Sequence, residues 1–239
     1  MPERKKCLVF GNGKSLENFN FKLINREQYD IIGCCLAFRY WDKIDWFPDI
    51  YVNVDKVVLT KNPDVKEWIK QKKCKCYILS EEIKKIWMDY PKDGTILFIE
   101  DLMNNCNSMF KLVRNWCSGT AAVMTALDNY LDIKLAGFDC DYVEFIPESQ
   151  RMPDGSLRIK KTPANNPNYF FNDYQRKGDY YNKPNGKSIH LRSWKELGHI
   201  LEYLHNMYPE VPLSLKNYND KYSIRDHIKT YPLVNMFKK

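Results

Sequence analysis

No apolar run in this 239-residue sequence approaches the roughly 20 consecutive residues that cross a bilayer, so no transmembrane segment is expected. The start is equally bare: Met1 to Lys6 leads into a strand-like segment without the apolar centre of a signal peptide, which predicts a soluble, cytoplasmic protein. The eight cysteines contain no C-x-x-C pair, which removes the usual zinc frameworks. Cys7, Cys34, Cys35 and Cys76 lie inside apolar runs, where a free thiol packs as a small hydrophobe, so reduced structural thiols are expected. Two nucleotide fingerprints are also missing. The turn Gly11-Asn12-Gly13-Lys14-Ser15-Leu16 has Leu16 where G-x-G-x-x-G needs its third glycine, and P-loop spacing fails as well. Neither an internal repeat nor a dividing linker occurs, so residues 1–239 read as one domain.

What is present is a globular composition, 44% hydrophobic, with 37 basic against 30 acidic side chains. Disorder is thereby excluded, and the net charge of +7 suits an anionic ligand. Nucleic acid is not expected, because Lys72-Lys73-Cys74-Lys75 reads as a solvated charge run without a recognition motif. Peripheral contact with an acidic membrane surface stays open, as does the oligomeric state. Short apolar runs bounded by turn residues, with helical patterns between them, predict an α/β domain with a mostly parallel sheet flanked by helices. The expected strands are Lys6 to Phe10, Tyr29 to Cys35, Ile50 to Val54, Cys76 to Leu79, Thr95 to Ile99, Ile133 to Ala136 and Val211 to Leu215. Ser118 to Leu131 predicts a helix capped by Ser118, and Ser193 to Tyr208 a second. Between them, residues 141–190 lack sustained periodicity yet are rich in aromatics, which predicts a lid over the active site.

Open α/β sheets bind ligands beyond the carboxyl ends of their strands. Gly11-Asn12-Gly13, Asn53, Ser118-Gly119 and Gly137-Phe138-Asp139 are all polar or glycine-rich exits on that edge. Their ordered set resembles the small bacterial lipo-oligosaccharide sialyltransferases, inverting and metal-independent single-domain enzymes. The resemblance runs through LVFGNGKSL, YDIIGCC, YVN, CSGTAAVMTALDNYLDIKLAGFD and a histidine ahead of a long helix. It implies a Rossmann-like, GT-A-like fold and a glycosyltransferase that needs no cofactor, moving sugar from a CMP- or UDP-linked donor to a glycan acceptor hydroxyl. Gly11, Asn12, Gly13, Asn53, Ser118, Gly119, Asp139, Asp141 and Tyr142 would then bind the donor, and His190 would be the general base.

The chain departs from that pattern in two places. Cys35 stands where the family has a donor-binding asparagine, and Asp141 stands where it has the first phosphate-neutralising tyrosine. Arg114, Arg151, Arg176, Tyr142, Tyr169, Tyr180 and Tyr181 are the alternative phosphate stabilisers. Asp139-Cys140-Asp141 also reads as the D-x-D of transferases that hold Mn²⁺ or Mg²⁺ against a UDP-sugar, an alternative reading. A nucleotide-binding or pyrophosphoryl-transfer protein on the same sheet is a third. The segment Asn166 to Tyr174 offers rings for a sugar or nucleobase, or for a small core beneath the loop.

Overall fold

A computed structural model describes residues 6–105, 108–112, 116–143, 145–182, 186–220 and 224–237, with 186–190 described by backbone alone. In chain order the elements are β1 (Lys6–Phe10), β2 (Tyr29–Cys34), α1 (Phe38–Ile44), β3 (Ile50–Asn53), α2 (Lys56–Lys61), α3 (Pro63–Lys70) and β4 (Cys76–Leu79). There follow β5 (Ile96–Phe98), α4 (Ile99–Asn104), α5 (Ser118–Asn129), β6 (Asp132–Ala136), β7 (Ser149–Arg151), β8 (Leu157–Ile159), β9 (Tyr180–Tyr181), α6 (Gly186–Met207), β10 (Ser214–Tyr218) and β11 (Thr230–Tyr231). Eight strands form one sheet in the order β11-β10-β6-β1-β2-β3-β4-β5, and every adjacent pair is parallel.

A parallel sheet covered on both faces needs strands that are apolar on both faces, and β1 shows why this chain builds one. Leu8 and Phe10 enter a core with Ile31, Trp41, Tyr51 and Trp68 on one face, while Cys7 and Val9 enter a second core on the other. That second core is made by α5 and α6. The small residues of α5, from Ala121 to Ala126, are fully or almost fully buried and let it lie close on the sheet, while Trp194, Leu197 and Leu201 supply the inner face of α6.

Three expectations change. The cap of α5 is Cys117, whose Sγ accepts from Thr120 N–H; Ser118 is the first helical residue and its Oγ accepts from Val54 N–H at 3.1 Å. The last long helix begins at Gly186, so His190 lies within it instead of ahead of it. The expected strand Val211 to Leu215 is displaced to β10, because Leu215, Asn217 and Tyr218 are the residues buried there. Within 141–190, β7, β8 and β9 form an antiparallel sheet over a small core of Ile146, Leu157, Ile159 and Tyr181. Phe170, Phe171 and Tyr174 join the main core instead, with Phe170 against Phe21 and Tyr40.

The opposite edge of the sheet is fastened by Asp49, whose carboxylate accepts from Ile31 N–H, Arg26 and Lys75, each at 2.8 Å. Burial works to raise this carboxyl, but the Lys75 hydrogen bond, the Ile31 N–H and Arg26 more than offset it and hold it below its ordinary value. A carboxylate depressed on folding stabilises fully above its unfolded pKa of about 3.9, and that stability is lost as the pH falls through the lower folded value. Asp49→Asn is therefore expected to lower stability at neutral pH and to flatten its fall below about pH 4, read from urea midpoints across the acid range. An acid limb identical to the wild type would refute the assignment.

Candidate functional site

From β1 to β5 the strands step outward in one direction, and the chain then returns to place β6 on the other side of β1. That reversal is where an open α/β sheet leaves a crevice. The exits of β1 and β6 are pinned to each other there, with Gly11 N–H donating to Ala136 O and Gly13 N–H to Gly137 O, both at 2.8 Å. A Cβ on Gly11 would lie 2.4 Å from the Gly137 carbonyl oxygen, and one on Gly13 would lie 2.3 Å from the Asp139 carboxylate carbon. Both positions therefore demand glycine for close approach.

Asp139 is the joint of this edge. Its Oδ2 accepts from Ser15 N–H at 2.9 Å; its Oδ1 accepts from Ser15 Oγ at 2.5 Å and from Asn219 Nδ2 at 2.9 Å. Three strand exits, after β1, β6 and β10, meet on one carboxylate. Both oxygens are thus taken up by protein donors, while Asp141 is exposed. Among the described residues no group of three or more His, Cys, Asp or Glu could hold a metal ion. For Asp139 to serve as in a D-x-D pair, it would have to share or give up hydrogen bonds that now join three strand exits.

Asn12 lies beside this joint, 9% exposed. Its Nδ2 donates to Cys34 O at 3.1 Å and to Tyr174 Oη at 3.0 Å, which fixes the amide with Oδ1 turned away from both. That Oδ1 is buried and meets no donor. Tyr174 Oη also accepts from Leu36 N–H, so one hydroxyl gathers the exits of β1 and β2. Between them Cys35 is left-handed at φ 53°, a conformation that asparagine tolerates better than other residues with a side chain. The thiol thus occupies a backbone position suited to the asparagine of the resembled family.

Asn53 is fully buried with its amide bonded at both ends: Nδ2 donates to Tyr51 Oη, and Oδ1 accepts from Asp55 N–H. Tyr51 Oη passes the brace on to Cys35 O at 2.8 Å. Asn53 therefore braces the exit of β3 and, through Tyr51, supports Cys35. Ser118 ties the start of α5 to the exit of β3, and Gly119 lies against the Phe138 ring. The first turn of α5, with Thr120 N–H spent on Cys117 Sγ, consequently lies on the same edge, where a helix start favours anions.

Of the expected tyrosines, Tyr142 and Tyr169 come together, with ring centroids 6.3 Å apart, and Tyr169 stacks on Tyr174 at 3.7 Å. Burial pushes the hydroxyls of Tyr142, Tyr169 and Tyr174 well above the ordinary value, so all three are protonated at neutral pH. Tyr181 instead enters the small core, and the Tyr180 ring lies under Lys61 and Arg158. Arg176 pairs with Asp173. Arg114 and the side chain of His190 lie outside the described residues. Reading the sequence had Tyr174 only as one ring of the Asn166 to Tyr174 segment and missed Asn219; the strand-exit rule would have found Asn219 had β10 been placed three residues later. Two surface hollows, of about 510 and 370 Å³, lie away from the crevice, the first lined by Lys61, Met152, Pro153, Asp154 and Tyr180 and the second around Arg39 and Trp68.

The fold is similar to monomeric CstII, at TM-score 0.54 and 15% identity over 97% of this chain and 88% of that one. It is equally similar to the sialyltransferase CstII from Campylobacter jejuni in complex with cytidine-5'-monophosphate, at TM-score 0.54 and 15% identity over 100% and 90%. A third neighbour is the MAf glycosyltransferase from Magnetospirillum magneticum AMB-1, at TM-score 0.53 and 15% identity, covering all of this chain and 35% of that one. No family model and no curated protein matches the sequence. The sheet flanked by helices is thus the α/β, GT-A-like fold of the sialyltransferase neighbours.

Proposed function

We propose that this protein is a glycosyltransferase that passes a sugar, with inversion, from a nucleotide-linked donor to a hydroxyl of a glycan acceptor, without a metal. The observation that carries the reading is Asn12 Oδ1, a buried acceptor with no donor, at the strand-order reversal. An unpaired buried acceptor costs about 1–3 kcal/mol, a cost that a ligand N–H or O–H removes. With Nδ2 spent on Cys34 and Tyr174, Asn12 faces a ligand that donates. A nucleobase amino group or a ribose hydroxyl fits this requirement; a phosphodiester, which has no proton to give, does not. The CMP held by a structural neighbour favours a CMP-linked donor over a UDP-linked one.

The anionic part of the donor then falls to the first turn of α5 and to the neutral hydroxyls of Tyr142 and Tyr169, which donate as negative charge builds on the departing phosphate. His190, in the opening turns of α6, takes the proton of the acceptor hydroxyl. Segment 141–190 covers the site and keeps water from the donor.

A thermal-shift screen of CMP-, UDP-, GDP- and dTDP-sugars tests this reading. A CMP-sugar at 100 times its Kd is expected to add about 2.7 kcal/mol to stability and to raise Tm. His190→Ala should keep that shift while losing transfer. If no nucleotide sugar raises Tm, the proposal falls; if His190→Ala transfers at the wild-type rate, its general base is wrong.

A further inference from the structure

We propose that the outer face of the small antiparallel sheet reads an acidic group on the acceptor, a deepening that rests on the transferase reading above. Register puts Gln150, Arg158 and Tyr180 in one row across β7, β8 and β9. The residues beside them, Leu157, Ile159 and Tyr181, fill the small core, so this row forms the opposite, outward face. Beside it opens the hollow of about 510 Å³, where Met152, Pro153 and the Tyr180 ring give an apolar floor. A sugar ring packs well on such a floor when polar groups border it.

The charge in the row is specific. Lys61 Nζ lies 5.0 Å from the Tyr180 ring centroid, but its charge is met by Asp154 and it also donates to Ser156 Oγ. The Arg158 guanidinium lies 5.6 Å from the same centroid, half-buried, and among the described residues its N–H groups meet no acceptor and no carboxylate. A guanidinium held over a ring with its donors unspent is suited to a carboxylate or a phosphate.

The face is also fixed to the rim of the candidate site. The Asn62 side chain donates to Tyr180 O and accepts from Tyr180 N–H, and Asn182 Nδ2 donates to Asp55 Oδ1. Asp55 caps α2 and donates its N–H to Asn53. From that cap, α2 runs six residues, about 9 Å, to Lys61. An acceptor whose terminal hydroxyl enters the crevice would therefore lay its following sugar along α2 and its acidic group at Arg158.

The test uses lactobionate, lactose 1-phosphate and lactose as acceptors for the full chain, because the first two carry their acid on the unit that follows the terminal galactose. Arg158→Gln is expected to lower the acidic-over-lactose ratio of kcat/KM by about 10–100-fold, through KM, with Arg158→Lys intermediate. Lys160→Gln, an exposed neighbour, serves as the control and should keep the ratio. Whichever acidic acceptor shows the loss identifies carboxylate or phosphate as the group read. An unchanged ratio in Arg158→Gln, in a protein that transfers sugar, overturns this inference and leaves the transferase reading standing. Conversely, saturation-transfer NMR that shows Arg158-dependent binding of lactobionate, without transfer from any nucleotide sugar, supports the acidic-glycan face and sinks the transferase reading.

Discussion

Arg39→Ala is expected to lower the unfolding free energy by about 3–5 kcal/mol, the loss that follows when one member of a buried ion pair is removed. Arg39 is only 3% exposed although it is charged. Its Nε donates to Asp64 at 2.8 Å, its Nη1 and Nη2 form a fork on the two oxygens of Asp179, and Nη1 also donates to Tyr174 O at 2.7 Å. Burial works against the charge, but Asp179 first and Asp64 second more than offset it. Without the guanidinium, the mostly buried Asp179 carboxylate loses its counter-ion and Tyr174 O its donor. Denaturant midpoints should show the loss. In an Asp179→Asn background, Arg39→Ala should cost markedly less, because the carboxylate it served is gone. Equal costs in the two backgrounds would mean that Arg39 does not stabilise the fold through Asp179.

The consequence reaches the crevice through three residues. Arg39 holds Tyr174 by its carbonyl, and Tyr174 by its hydroxyl holds the amide of Asn12. A site read from Asn12 Oδ1 thus depends on a salt bridge between α1, α3 and the segment before β9. Arg39→Lys keeps the charge but not the fork, so it should recover part of the stability while leaving nucleotide binding weaker than wild type.

How much of this was legible in the sequence depends on how locally each feature is determined. β1 and β4 lie where the apolar runs put them, because a strand covered on both faces must be apolar at successive positions. β7, β8 and β9 have three, three and two residues, too few for alternation to register. β10 carries Asn217 into a fully buried position, where its Nδ2 donates to Thr230 Oγ1 on β11, and no local pattern announces a buried asparagine with a partner 13 residues on. The start of α6 was hidden differently, since Pro184-Asn185-Gly186 reads as a turn. At the site, the glycine exits were visible as motifs, but the partners that give them meaning, Tyr174 for Asn12 and Asn219 for Asp139, lie 162 and 80 residues away in the chain.

The same distance separates the two readings of Asp139. As a tripeptide, Asp139-Cys140-Asp141 suggests metal; as folded, Asp139 is a carboxylate that accepts three protein hydrogen bonds and is 5% exposed. Hydrogen bonds to a charged acceptor contribute about 1.5–3 kcal/mol each, and their donors are left unpaired when it is removed. Asp139→Ala is accordingly expected to lower stability by about 3–5 kcal/mol, with no metal added, and to weaken nucleotide binding because the turn at Asn12 and Gly13 loses its anchor. Asp139→Asn keeps one oxygen but turns an NH₂ toward Ser15 or Asn219, both donors, so about half that loss should remain. A metal ligand would behave otherwise: its removal would leave the apo melting temperature near wild type and abolish only an Mn²⁺- or Mg²⁺-dependent activity. Melting curves of wild type, Asp139→Ala and Asp139→Asn in EDTA, followed by transfer assays with and without Mn²⁺, separate the two. A defect already present in EDTA makes Asp139 the clasp that joins three strand exits, and a defect seen only with metal makes it a ligand after all.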